Sequence, residues 1–270
     1  MSAAPDRQDL LVLALDVARE AAAFVADQRP VGRVDVAQTK SSPTDVVTLI
    51  DQSTERLVRD RLEAARPGDG FLGEEGGLQP GTSSVTWVVD PIDGTVNFVY
   101  GIPHYAVSIG AEVDGEVVVG VVIDVVSGEE WTAVLGGGAH VAPRAGAERR
   151  RLRATAPSSL AQALVGTGFN YVLELRLKQA AAVTQMLAHV RDVRRIGSAA
   201  LDLCALADGR LDAYVEQGLK PWDLAAAGLV ARESGVLMSG VDGGPDERLT
   251  VAAPPAIDEE FCALVRACGF

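Results

Sequence analysis

"WVVDPIDGTVNF", residues 87–98, decides how this chain is read. Trp87, Val88 and Val89 predict a buried strand, which then ends in Asp90, Pro91, Ile92, Asp93, Gly94 and Thr95. A fold gains nothing from two carboxylates followed by two residues that expose backbone, so the stretch points to chemistry. Pro91 stiffens the strand exit and holds Asp90 and Asp93 close despite their repulsion. Carboxylates so close need protons, basic partners or cations. Gly94 and Thr95 open a helical turn whose first N–H groups have no partner within the helix and can receive an anion. Carboxylates for cations beside amides for an anion describe a phosphate held through metal ions.

Other acidic residues fall at element ends, where a scaffold can aim them into one cleft. Glu74 and Glu75 follow the predicted strand "GFLGEE" (70–75), and Asp223 opens the predicted helix "PWDLAAAGLV" (221–230). A carboxylate in a first helical turn is commonly a cap, so Asp223 taken alone reads as a cap or as a ligand. The three histidines never cluster and the three cysteines form no CxxC pair. A His/Cys zinc site is therefore disfavoured, and any metal here is expected to be hard and oxygen-bound.

Composition sets the outer bounds. The chain has 270 residues, 48% hydrophobic and 23% charged, which suits one large domain or two closely packed halves. A net charge of −13 argues against a nucleic-acid binder and repels a phosphorylated substrate unless bound cations compensate. No stretch reads as a signal peptide or a membrane span, and the scattered thiols fit a reduced, cytoplasmic setting.

The apolar spacing predicts helices over 8–28 and about 45–65, then a β-rich run from Tyr105 to Val141 with a hairpin at Asp114-Gly115. "PRAGAERRRLRAT" (143–155) is the expected joint between an N-terminal half, 1–150, and a C-terminal half, 151–270. Its arginines read as a solvated turn rather than a binding patch. Beyond it, strands and helices alternate in blocks, as in sheets sandwiched between helix layers. Trp87 and Trp222 read as packing anchors, and His104 as a hydrogen-bonded structural residue.

"GEE" (73–75), "WVVDPIDGTVNF", "WDLAAAGLVARESG" (222–235) and "KSSPTDVVTLIDQSTE" (40–55) together resemble the inositol monophosphatase family of magnesium-dependent, lithium-sensitive phosphatases. The resemblance runs through most of the chain. It implies an α+β fold, a layered α/β/α/β/α sandwich shared with fructose-1,6-bisphosphatases, and a homodimer. It also implies two to three Mg²⁺ ions. Glu74, Asp90 and the Ile92 carbonyl would ligate one ion, and Asp90, Asp93 and Asp223 a second, with a weaker third near Glu74. Thr95 and Asp51 would align and deprotonate the attacking water. Gly94 and Thr95 would hold the phosphate, Glu216 would contact the polyol hydroxyls, and Ser198 and Ala199 would line the substrate pocket. The chain departs from the family's pattern at Ala142-Pro143, where many members carry Asn-Gly.

The expected activity is hydrolysis of an inositol monophosphate by a metal-activated water. The same chemistry on fructose 1,6-bisphosphate, histidinol phosphate or 3′-phosphoadenosine 5′-phosphate is the near rival, and a regulatory binding protein that kept the fold is the distant one. Glu216 favours a polyol over a second phosphate, and no Arg or Lys is evident beside it. Lys40 reads either as solvated or as part of an active-site loop.

Overall fold

The computed structural model describes residues 5–30, 32, 34, 36, 38, 39, 46–155 and 157–270. Lys40 and the start of the 40–55 stretch lie outside the described residues. Seven α-helices are described: α1 (Arg7–Gln28), α2 (Leu49–Ala65), α3 (Thr95–Tyr100), α4 (Leu173–Met186), α5 (Ala199–Ala207), α6 (Pro221–Glu233) and α7 (Asp258–Cys268). A two-stranded ribbon, β1 (Gln38–Thr39) with β2 (Val46–Val47), precedes α2.

The larger sheet holds β3 (Gly70–Gly73), β4 (Gly77–Gln79), β5 (Val85–Asp93), β6 (Ala106–Val113), β7 (Glu116–Asp124), β8 (Glu130–Val134), β9 (Gly138–Ala142) and β10 (Arg150–Arg151). Their spatial order is β10-β9-β8-β7-β6-β5-β3-β4, antiparallel except for the β3–β5 pair. The Asp114-Gly115 hairpin forms as expected, with both residues at positive φ, the geometry a two-residue turn requires. The smaller sheet holds β11 (Leu164–Thr167), β12 (Asp192–Arg194), β13 (Ala213–Glu216), β14 (Leu237–Ser239) and β15 (Thr250–Ala253), in the order β12-β11-β13-β15-β14.

Five layers follow from which faces are apolar. The buried stripe of α1 (Leu10, Ala14, Val17, Ala18, Ala21, Val25) and Val58 and Leu62 of α2 cover one face of the larger sheet. Helices α5 and α6 fill the space between the two sheets, where Leu203, Leu206, Leu229 and Val230 pack with Trp131 and Tyr214. Helices α4 and α7 cover the outer face of the smaller sheet through Ala182, Met186, Phe261 and Val265. The expected α/β/α/β/α sandwich is what forms.

Two details of this packing place the site. Gly110 of β6 and Gly120 of β7 are cross-strand partners, and α6 lies directly on them. A Cβ at Gly110 would come within 2.9 Å of the Ala225 side chain, and one at Gly120 within 2.6 Å of the Ala226 carbonyl. This close approach brings the N-terminus of α6, with Asp223, over the end of β5. The second detail is in β5 itself. The strand does not stop at Asp90, as the sequence suggests, but runs on to Asp93 with a bulge: Asp90 faces Ser108 and Asp93 faces Ala106. Pro91 falls within the bulge, where its missing N–H removes no ladder bond.

Two packing expectations divide. Trp87 is an anchor, 1% exposed, with its indole N–H donating to Asp69 at 3.0 Å. His104 departs from expectation. Its carbonyl accepts from the Asn97 side chain at 2.9 Å, but its Nε2 is buried with no hydrogen-bond partner among the described residues. The side chain has only Asp124 as a favourable charge, which does not offset the burial that lowers its pKa.

Candidate active site

A cleft of about 350 Å³ opens between the end of β5 and the ends of β11 and β13. Glu74, Asp90, Ile92, Asp93, Gly94, Thr95, Ser198, Ala199, Glu216 and Asp223 all line it. Asp51 lies behind Thr95, which connects it to the cleft through a 3.1 Å hydrogen bond.

Asp90, Asp93 and Asp223 offer carboxylate oxygens that all lie within 4.8 Å of one another. Each is anchored by protein donors. Oδ1 of Asp90 accepts the Ile92 N–H at 3.0 Å. Oδ2 of Asp93 accepts the Ser198 hydroxyl at 2.6 Å and the Ala200 N–H at 2.7 Å. Oδ2 of Asp223 accepts the Lys220 N–H at 2.6 Å. The two readings of Asp223 are therefore compatible, because it caps α6 and faces the cluster with the same carboxylate. Glu74 reaches Asp90 by a side-chain hydrogen bond.

This crowding is electrostatically costly. Burial, then the charges of Glu74, Asp93 and Asp223, push the Asp90 carboxyl well above its ordinary range. Burial, then the charges of Asp93, Glu74 and Glu216, raise Asp223 strongly. Asp93 rises to about 6, since the bonds from Ser198 and Ala200 partly oppose its burial. Such a set holds either protons or cations. The donors are all hard oxygens pre-aimed at one point, so the residues fit a divalent cation of the magnesium or calcium type.

Asp51 does two jobs. One oxygen closes the capping box at the start of α2, accepting the Thr48 N–H at 2.9 Å and the Thr48 hydroxyl. The other faces the Thr95 hydroxyl, which is also 3.0 Å from the Ile92 carbonyl. Burial lifts Asp51 to about 6, so it is a base at neutral pH with an affinity suited to taking a proton. Gly94, at φ +97°, is the N-cap of α3 and turns the chain from the bulge into that helix.

The opposite wall comes from the smaller sheet. Glu216, at the end of β13, accepts a hydrogen bond from the Tyr214 hydroxyl, and burial raises it to about 7. Its seat exists because residue 168 is glycine: a Cβ there would lie 2.0–2.2 Å from the Glu216 carboxylate. Ser198 lines the cleft, but its hydroxyl is spent on Asp93 and on capping α5 through the Leu201 N–H.

Sequence reasoning missed several groups. Arg195 and Lys220 line the cleft, and Arg195 is near enough to Glu216 to oppose its pKa rise, which corrects the expectation of no cation there. Lys220 is paired with Glu247, and Arg195 faces Glu216 and Asp202. Asp202 is buried in the cleft wall, and its Oδ1 has no partner among the described residues. Trp222, expected to be an anchor, also lines the cleft. The available signal was proximity in sequence: Arg195 and Asp202 flank Ser198, which was already placed in the pocket.

The comparisons with known proteins decide the family. A profile of the "Inositol monophosphatase family" matches residues 6–269. The chain belongs to the inositol monophosphatase family. It is 50% identical to "Inositol-1-monophosphatase SuhB" of Mycobacterium tuberculosis, over 97% of this chain and 96% of that protein. A solved structure, "Mycobacterium tuberculosis SuhB", superposes with a TM-score of 0.84 at 46% identity, covering 98% of this chain and 99% of the other. "Nus factor SuhB" of Pasteurella multocida is 38% identical over 96% of both chains. As a member of this metal-dependent family the chain is a phosphatase, and its acidic cluster is where a metal would sit.

Proposed function

We propose that the chain hydrolyses an inositol monophosphate to inositol and inorganic phosphate, with Mg²⁺ as cofactor. The observation that carries the reading is one cleft with two unlike walls: converging carboxylates on one side and Glu216 on the other. Glu74, Asp90 and the Ile92 carbonyl would hold one ion, and Asp90, Asp93 and Asp223 a second, with a weaker third near Glu74. Mg²⁺ at these oxygens supplies charge neutralisation on the phosphoryl group and easier deprotonation of water.

The chain's own residues do the rest. Thr95 orients the attacking water through its hydroxyl and passes a proton to Asp51, which is ionised at neutral pH. The Gly94 and Thr95 backbone N–H groups face the phosphate oxygens. Water attacks phosphorus directly, the phosphate–alkoxide bond breaks, the leaving alkoxide takes a proton from solvent water in the open cleft, and no phosphoenzyme forms. Ser198, through Asp93, and Ala199 shape the cleft beside the substrate, while Glu216 accepts hydrogen bonds from polyol hydroxyls.

Arg195 supports a second reading, the same chemistry on a substrate with another anionic group such as fructose 1,6-bisphosphate, histidinol phosphate or 3′-phosphoadenosine 5′-phosphate. Glu216 and Asp202 beside Arg195 favour the polyol. The name of the Pasteurella relative supports an additional regulatory role. We also read the protein as a cytoplasmic homodimer, inhibited by millimolar Li⁺. Free thiols support the compartment, and family membership supports the dimer and the lithium effect. No described helix is long and apolar enough to cross a membrane.

Phosphate release from a panel of inositol, fructose, histidinol and nucleotide phosphates, with and without Mg²⁺, tests the proposal. Fastest Mg²⁺-dependent release from inositol monophosphate is expected. Release from none of them with Mg²⁺ present would sink it.

A further inference from the structure

Glu55 lies on α2 one helical turn after Asp51, so the two carboxylates project from the same face. It is 3% exposed. Its carboxylate accepts the backbone N–H of Glu75 at 2.7 Å and also that of Gly76. The loop fits closely around it: a Cβ at Gly73 would lie 2.3 Å from a Glu55 oxygen, and one at Gly76 2.7 Å. Glu74 sits between these glycines, and its N–H is tied to the Val89 carbonyl of β5 at 3.2 Å. The turn that carries Glu74 is thus gripped on one side by the strand bearing Asp90 and on the other by Glu55.

We propose that Glu55 is a positioning residue for the cation site. It fixes the 73–76 turn against α2 so that the Glu74 carboxylate meets Asp90. The same helix face, through Asp51, fixes Thr95. A carboxylate suits this task because two oxygens can accept two adjacent N–H groups at once, whereas glutamine offers one acceptor and turns an N–H₂ toward the second. The inference rests on the reading that Glu74 and Asp90 hold Mg²⁺.

The test is isothermal titration of Mg²⁺ into full-length wild type, Glu55→Gln and Asp93→Asn, with turnover measured across Mg²⁺ concentrations. Outer partners of metal ligands typically contribute 10- to 100-fold in affinity. Glu55→Gln is expected to weaken Mg²⁺ binding about tenfold, while kcat at saturating Mg²⁺ and KM for substrate stay within about twofold of wild type. A merely structural role would lower the melting temperature and leave the Mg²⁺ affinity unmoved, which overturns the proposal. If wild type binds Mg²⁺ and Asp93→Asn does not, but Glu55→Gln binds normally, only the positioning role falls. If wild type binds no Mg²⁺, both readings fall. Should Glu55→Gln fail to fold, Gly76→Ala presses on the same carboxylate from the loop side and is expected to weaken Mg²⁺ binding likewise. Unaltered affinity in that variant also overturns the proposal.

Discussion

The two walls of the cleft are built by different means. On the β5 wall, Asp90, Asp93 and Asp223 are each held by a backbone N–H, and the donors sit on a bulge or at a helix start. On the β13 wall, Glu216 is held by a tyrosine hydroxyl and balanced by the Arg195 guanidinium, both side chains. Backbone donors move only if the fold moves, whereas side-chain partners change by single substitutions. The first wall therefore suits chemistry common to every substrate, and the second suits choice among substrates.

Asp93→Asn strikes the first wall and carries the largest expected effect, a loss of about a thousandfold or more in kcat. That exceeds the 10- to 100-fold typical of losing an outer partner of a ligand. Phosphate release measures it, with circular dichroism to show that the fold persists. Turnover near wild type would remove the cluster from the chemistry. Thr95→Ala should lower kcat by about 10²- to 10³-fold with little change in KM, within the roughly 10²- to 10⁴-fold expected for losing general-base assistance. A change confined to KM would instead make Thr95 a substrate contact only.

The second wall should respond differently. Glu216→Gln is expected to raise KM for inositol monophosphate about tenfold, equivalent to about 1.4 kcal/mol, with a smaller effect on an aryl phosphate. Gly168→Ala, which displaces the Glu216 carboxylate, should act in the same direction. Equal effects on both substrates would erase the distinction between the walls.

The smallest expected shift is in stability. Asp51 and Asp93 rise from 3.8 to about 6 on folding, so the folded state prefers their neutral forms. Their contribution is fully present below the unfolded pKa near 4 and is lost as pH rises through about 6. In EDTA, the melting temperature should therefore be lower at pH 7 than at pH 5, by about 2–4 °C for each kcal/mol lost. Mg²⁺ should shrink the gap. A melting temperature that instead rises from pH 5 to 7 in EDTA would show that other titrations outweigh this pair.

What the sequence revealed follows the reach of each interaction. The acidic motifs were legible because each is compact: Asp90 to Thr95 span a few residues, and Asp223 shares its turn with its own cap. Sheets between helix layers were legible from the blockwise alternation of strands and helices, and the five-layer order from the family resemblance. Glu55 was not, because its partners lie 20 and 21 residues away on a turn. Arg195 and Asp202 were overlooked for a similar reason, since only the packing of the smaller sheet brings them to Glu216. His104 shows the opposite limit: a polar side chain was expected to find a partner, and the packing leaves its Nε2 without one among the described residues.

The β5 bulge has a consequence for lineage. Side chains in a strand alternate, so residues three apart in a regular strand face opposite ways, and residues two apart face the same way at a rise of about 6.6 Å. At the three-residue spacing of Asp90 and Asp93, a regular strand would therefore aim the two carboxylates at opposite faces. The irregularity between Asp90 and Asp93 sets three residues against two on the partner strand and so restores the shared side. A gene losing the codon for Pro91 or Ile92 would keep every acidic residue but remove the extra residue on which this bulge depends, so this stretch can accept exchanges of letters more readily than changes of length.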